Sequence, residues 1–174
     1  MPQLARRLFV LPPDLEGAAQ SWLEHGERTP RAPRFASSVV LLRDSPTGLE
    51  TWLAYRPGTS PLGVLAFPGG SLEASDDDAL GWLGPSPQHW AEQMGTADVG
   101  LARRHVVGAI RELFEETGVL LAGPDLSSTV EATSRSEWMK AREAVASQEK
   151  SFTDLLAKRG LYTSLYGDWA ADVA

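Results

Sequence analysis

Arg111, Glu112, Glu115 and Glu116 crowd four charges into the six residues "RELFEE". If this stretch is helical, Glu112, Glu115 and Glu116 stand at i, i+3 and i+4 and share one face. Like charges so placed oppose the helix by about 0.2–0.5 kcal/mol per pair. They also occupy the second half of the helix, where the dipole disfavours anions. Arg111, four residues before Glu115, can relieve one of them. A hard divalent cation makes the crowding useful. Mg²⁺ or Mn²⁺ takes oxygen ligands in octahedral geometry and completes its shell with water and phosphate oxygens. Three carboxylates on one helical face are therefore a platform for bridging protein to pyrophosphate. A solvated Glu-rich face is the plain alternative. Against it stand the apolar opposite face of the same stretch and the "FPGG" that precedes it, where Gly69 and Gly70 permit close ligand approach.

The elements that must hold these residues can be read from pattern. "LARRHVVGAIRELFEET" (101–117) has a helical period, with Val106, Ile110, Leu113, Phe114 and Thr117 as its apolar stripe and Gly118 at the C-terminal position. "ASSVVLLRD" (36–44) and "LETWLAYR" (49–56) read as a hairpin around "SPTG", and "VLAFPGG" (64–70) as a third short strand that stops at Pro68. Residues 77–104 break the rhythm and read as an insertion with a short helix near "PQHWAEQM"; Trp82 and Trp90 are expected to pack it onto the body. The Asp76–Asp78 run could bind a cation, but reads foremost as a solvated turn or helix start. "VLLAG" (119–123) follows as a strand, 134–149 as an amphipathic helix through Trp138, Met139 and Val145, and 151–160 as a short helix with Ser151 and Asp154 as a capping-box variant. Residues 1–33 read as an extension with a short helix ending near Gly26, then the linker "RTPRAPR".

Composition bounds the function classes. The 174 residues suffice for one domain, 1–174, with a real core. A net charge of −7 argues against a nucleic-acid or anionic-membrane partner, though not against an anionic small substrate beside a metal ion. With no cysteine, disulfides, thiolate catalysis and Cys-based zinc sites are excluded. His25, His89 and His105 lack metal-ligand spacing. No apolar run approaches the ~20 residues of a membrane span, and the opening "MPQLARRLFVLPP" is too short in its apolar part for a secretory signal. A cytoplasmic location is expected. Neither a G-x-S-x-G elbow nor a G-x-x-x-x-G-K-[ST] phosphate loop occurs.

"RELFEETGV" (111–119) resembles the second half of the Nudix box, G-x5-E-x7-R-E-U-x-E-E-x-G-U with U a bulky apolar residue, and matches every defined position. "GGSLEASD" (69–76) resembles the first half, with Gly70 as the opening glycine. Two departures stand out. The first Glu of the pattern falls on Asp76, with Glu73 nearby, and 34 residues separate Asp76 from Arg111 where the pattern has x7. A box split in this way resembles the branch of Nudix hydrolases that includes the peroxisomal coenzyme A diphosphatases. The segment "LAYRPGTSPLGVLAFPGG" loosely echoes the one that accompanies coenzyme A substrates there. The resemblance covers roughly residues 35–123 and implies a set of roles. Glu112, Glu115 and Glu116 would be metal ligands, with Glu112 and Glu116 foremost. Gly69 would add a backbone carbonyl to the metal. Arg111 would orient the glutamates, braced by Glu73 or Asp76. Arg56, Gly69 and Gly70 would meet the substrate. The implied activity is Mg²⁺- or Mn²⁺-dependent hydrolysis of a diphosphate linkage in a small nucleotide conjugate, such as coenzyme A or a derivative.

The resemblance also implies a fold: an α/β (α+β) domain, a Nudix-like α/β/α sandwich with a mixed sheet. Later strands of that sandwich are hard to find after Gly123, where "LYTSLY" (161–166) is the one candidate. The sheet is therefore expected to be incomplete at its C-terminal end, as in a shortened piece, a divergent member or a chain completed by a partner such as a homodimer mate. A late acidic ligand would have to be Asp154, Asp168 or Asp172. Two other readings compete with the enzyme: a Nudix-like module that binds a nucleotide conjugate without turning it over, and a helical interaction protein with a fortuitous match. The 77–104 insertion could cover the site or mediate a dimer.

Overall fold

Two residues explain where the central helix starts and stops. Asp98 Oδ1 accepts the Leu101 N–H at 2.8 Å, and Gly118 takes the left-handed conformation (φ 83°) that ends it. In the computed structural model, which describes residues 10–26, 34–55, 65–130 and 133–164, the helices in chain order are α1 (Glu16–His25), α2 (Pro87–Met94), α3 (Val99–Thr117), α4 (Ser136–Ala146) and α5 (Phe152–Lys158). The strands are β1 (Ala36–Ser38), β2 (Leu42–Ser45), β3 (Gly48–Thr51), β4 (Ala54–Tyr55), β5 (Leu65–Ala66), β6 (Gly69–Ser71), β7 (Trp82–Leu83), β8 (Ala122–Gly123) and β9 (Tyr162–Ser164).

Most expected elements are present, with instructive differences. The 36–44 stretch divides into β1 and β2, which pair with different partners. The expected strand over 64–70 also divides: β5 pairs with β4, and β6, beyond Pro68, pairs with β1. Pro68 has no N–H to give a ladder, so the strand breaks there. The hairpin is the expected one, with Leu42 opposite Thr51 and Ser45 opposite Gly48 around a turn at Pro46 and Thr47. Helix α3 begins two residues earlier than its apolar period indicated, because Asp98 caps it. Helix α4 is shorter at both ends than 134–149. In α5 the Ser151 hydroxyl accepts the Asp154 N–H, as the capping pattern implied.

Among the described residues the strands form three antiparallel pairs and one three-stranded sheet, β7–β9–β8, in which β7 runs parallel to β9 and β8 antiparallel to it. The molecule is mixed α+β with no closed sheet, which counts against the purely helical reading. The low-signal "LYTSLY" segment does contribute a strand, β9, within its described part. Residues 77–104 are more than an insertion: they supply β7 to this sheet, the whole of α2 and the start of α3.

The apolar face of α3 packs Val106, Val107, Ile110 and Phe114 against Trp138, Ala141 and Val145 of α4 and Phe152, Leu155 and Leu156 of α5. Phe114 meets the Trp138 ring edge-on at 6.1 Å between centroids, a geometry that adds about 0.5–1.5 kcal/mol to area burial. Trp82 and Trp90 pack against this core as expected. Helix α1 buries none of its residues. No helix among the described residues is long and apolar enough to cross a membrane. The core thus clamps one side of α3 and leaves its carboxylate side facing β6 and the 73–78 segment.

Candidate metal and diphosphate site

Arg111 is the centre of the site. Its apolar neighbours on α3 pin the helix, and its side chain is only 2% exposed. All five of its N–H donors find acceptors. Nε donates to Asp76 Oδ1 at 2.9 Å, and Nη2 to Asp76 Oδ2 at 3.2 Å and to the Ser71 carbonyl at 2.9 Å. Nη1 donates to Glu112 Oε1 at 2.9 Å and Glu115 Oε1 at 3.0 Å, and Glu73 Oε1 lies 3.5 Å from the same nitrogen. One guanidinium therefore gathers four carboxylates from two segments far apart in the chain.

Asp76 corrects the expectation of a solvated turn. It is 1% exposed and closes a short 3₁₀ turn over Ala74–Asp77. Its Oδ2 accepts the Glu73 N–H at 2.8 Å, while the Glu73 side chain accepts the Asp76 N–H in return. This reciprocal cap fixes the two acids relative to one another. The neighbouring Asp77 and Asp78 are exposed, as expected.

The β1–β6 ladder explains the glycines. The bonds Val39 N–H to Pro68 O (2.8 Å) and Leu72 N–H to Phe35 O (2.9 Å) leave Ser38–Gly69 and Ala36–Ser71 as the non-hydrogen-bonded pairs. The backbone groups of Gly69 and Ser71 consequently point away from β1, towards α3. The Gly69 N–H donates to Glu116 Oε2 at 3.3 Å, and the Ser71 carbonyl takes Arg111. The contact seen at Gly69 is thus its N–H on Glu116, with its carbonyl on the same outer edge. A Cβ on Gly70 would land on the Glu112 carboxylate. Arg56 lies outside the described residues, as do Asp168 and Asp172. Asp154 is exposed on α5, 3.8 Å from Lys158, on an element that turns its buried face to the core.

Burial pushes the Glu112 carboxyl above its ordinary value. The Arg111 charge and hydrogen bond pull it back only in part, and Glu115 and Glu116 add to the rise. Glu115 is raised for the same leading reason, with Arg111 opposing and Glu73 and Asp76 reinforcing. Burial alone would lower the Arg111 guanidinium, but its bonds to Asp76 and Glu115 and the charges of Asp76 and Glu112 raise it. Arg111 is therefore a fixed cation in a site whose anions outnumber it.

No group of three or more His, Asp or Glu among the described residues stands as a ready ligand set, and Arg111 holds an oxygen of both Glu112 and Glu115. The donor chemistry nonetheless fits Mg²⁺ or Mn²⁺: every side chain offered is a hard oxygen, and four carboxylates share one guanidinium with Glu116 close to Glu112. Glu112, Glu115 and Glu116 are the residues that would hold the ion.

Four residues escaped the sequence reading. Arg103 donates to the Asp78 carbonyl at 2.6 Å and the Asp76 carbonyl at 3.3 Å, tying the acidic turn to α3. It shares the 103–107–111–115 row with Arg111, which was a readable signal. Gly108 lets the turn approach: a Cβ there would lie 2.6 Å from Leu72 Cδ2 and 3.0 Å from Asp76 Oδ2. A glycine inside a helical period was its signal. Arg142 donates to the Glu115 carbonyl at 2.7 Å, and Gln148 to Glu73 Oε1 at 2.8 Å. Neither has a local signature.

Next to the site, an apolar cleft of about 540 Å³ opens between β1, α2 and α3. His105 and Ala109 line it on the same helical face as Glu112 and Glu116. The His105 ring Nδ1 lies 3.0 Å from Ser37 Oγ, which also donates to the His105 carbonyl at 2.9 Å. No protein-family model, curated protein or solved structure matches this chain.

Proposed function

We propose that this protein is a Nudix-type diphosphatase that hydrolyses the diphosphate linkage of a nucleotide conjugate with Mg²⁺ or Mn²⁺. The observation that carries the reading is the Arg111 brace. Asp76 and Arg111, which answer to the acid and the arginine of a split box, meet as a buried two-bond pair despite the 77–104 stretch between them. A chance match to "REUxEExGU" would not require the separate "GGSLEASD" segment to fold back onto that arginine. The α/β/α sandwich belongs to the same proposal, as do a cytoplasmic setting and a small nucleotide conjugate as partner.

Each residue has a task under this reading. Arg111 orients Glu112 and Glu115 and neutralises part of their mutual repulsion. Gly69 fixes Glu116 through its N–H, and Gly70 keeps the space before Glu112 clear. Glu112 would offer the ion Oε2, the oxygen that Arg111 does not hold. When bound, the cation would neutralise phosphate oxygens and lower the pKa of the attacking water. The cleft over His105 and Ala109 has the size of a small-molecule site and offers room for the remainder of the conjugate.

A binding module without turnover is the second reading, favoured by the hold of Arg111 on Glu112 and Glu115. A panel of coenzyme A, NADH and ADP-ribose with Mg²⁺, against the same panel with chelator, separates the two. Metal-dependent release of the two phosphate-bearing halves supports the enzyme. Saturable binding without products supports the module, and activity unchanged in Glu116→Gln overturns the catalytic assignment.

A further inference from the structure

Gln148 is the one non-glycine with a left-handed backbone among the described residues, at φ 59°. It lies in the turn that leaves α4, where its own N–H donates to the Val145 carbonyl at 2.8 Å and the Lys150 N–H to the Ala144 carbonyl at 3.0 Å. Helix-ending turns of this kind ordinarily place glycine at the left-handed position, because any Cβ is disfavoured there. What Gln148 adds over a glycine is its side-chain amide, which donates through Nε2 to Glu73 Oε1 at 2.8 Å. That same oxygen lies 3.5 Å from Arg111 Nη1. A second link joins the same two segments, from Thr153 Oγ1 to Asp78 Oδ2 at 3.4 Å.

The geometry points to Gln148 as a positioning residue for the cation face, acting through Glu73; this rests on the diphosphatase reading. Arg111 Nη1 is shared among Glu73, Glu112 and Glu115. While Gln148 holds Glu73 against that nitrogen, the pull of Arg111 on Glu112 and Glu115 is divided three ways. If Glu73 swings out to water, Arg111 closes harder on the other two and withholds their oxygens from a cation. A left-handed side chain is tolerated where neighbouring structure uses it, and here the use is a carboxylate 3.5 Å from the central arginine.

The test compares wild type, Gln148→Gly and Gln148→Lys. Mn²⁺ binding is read from the resonance of the free ion, and the thermal midpoint is read without metal. Gln148→Gly is expected to keep or raise the midpoint, since it relieves the backbone, yet to weaken Mn²⁺ binding about tenfold, the scale of outer-layer metal-site variants. Turnover at saturating Mn²⁺ should return towards wild type. Gln148→Lys keeps a donor and the same backbone demand, and should recover most of the Mn²⁺ affinity. Unchanged Mn²⁺ affinity in Gln148→Gly overturns the assignment and leaves the diphosphatase reading standing. So does a weakened affinity that Lys fails to restore. A wild type that binds no Mn²⁺ overturns the diphosphatase reading and this inference with it.

Discussion

Arg111 Nε and Asp76 Oδ1 stand 2.9 Å apart although 35 positions separate them in the chain, and their side chains are only 2% and 1% exposed. The pair closes the base of everything between them: β7, α2 and the first half of α3. It also joins the two segments that carry the acids of the candidate site. Such a pair gives little net stability by existing, but breaking it strands a charge away from water.

Asp76→Ala is therefore expected to lower the unfolding free energy by about 3–5 kcal/mol, the usual consequence of removing one partner from a buried pair. Urea denaturation measures it. A loss under about 1 kcal/mol would mean that water reaches Arg111 and that the brace is not closed.

Gly108→Ala tests how closely the acidic turn sits on α3. Alanine is the better helix former by about 1 kcal/mol, so propensity alone predicts stabilisation. The added methyl would meet Leu72 Cδ2 and the Asp76 carboxylate, so the net expectation is a destabilisation of about 1–3 kcal/mol, as for overpacked cores. A gain in the denaturation midpoint would show that the turn can retreat.

Glu116→Gln and Glu112→Gln address the chemistry. Each removes one anionic oxygen donor and leaves size and shape nearly unchanged. Losing a ligand interaction of several kcal/mol should cut metal-dependent hydrolysis by about 10²-fold or more, while the far-UV spectrum stays that of wild type. Glu116 is exposed and, among the described residues, bonded only to a backbone N–H, so its variant should also unfold at the wild-type midpoint.

Acidity should act on stability and metal binding in opposite directions. Burial, opposed in part by Arg111, raises Glu112 and Glu115 above their ordinary 4.5. The folded chain therefore keeps protons that the unfolded chain has released. The stability this contributes is full below pH 4.5 and is lost as pH rises through the raised values. A cation must displace those same protons, so its affinity grows over that window. Thermal midpoints with and without Mn²⁺, followed from mildly acidic to neutral pH, should draw apart as pH rises. A constant gap would remove Glu112 and Glu115 from the ligand set.

Local chemistry wrote much of this protein legibly. The α3 stripe of Val106, Ile110, Leu113 and Phe114, its Gly118 terminus and the Ser151 cap all depend on neighbours within a turn or two, and so does the sharing of one face by Glu112, Glu115 and Glu116. Those features follow from helical periodicity and capping, which act over a few residues. Other outcomes needed the folded chain. Pattern alone put Asp76 in a solvated acidic run and the resemblance offered it only as an alternative to Glu73; the fold buries its carboxylate on Arg111 and ties its carbonyl to Arg103. The break at Pro68 was legible, but that β5 pairs with β4 and β6 with β1 was not, because pairing joins segments distant in the chain. Gln148 carries no motif, and its bond to Glu73 exists only because α4 and α5 pack on α3 and bring that turn over the site. Sequence sets which groups are available and which face they share. Desolvation and long-range contact decide which charges are paired, and those forces appear only once distant segments meet.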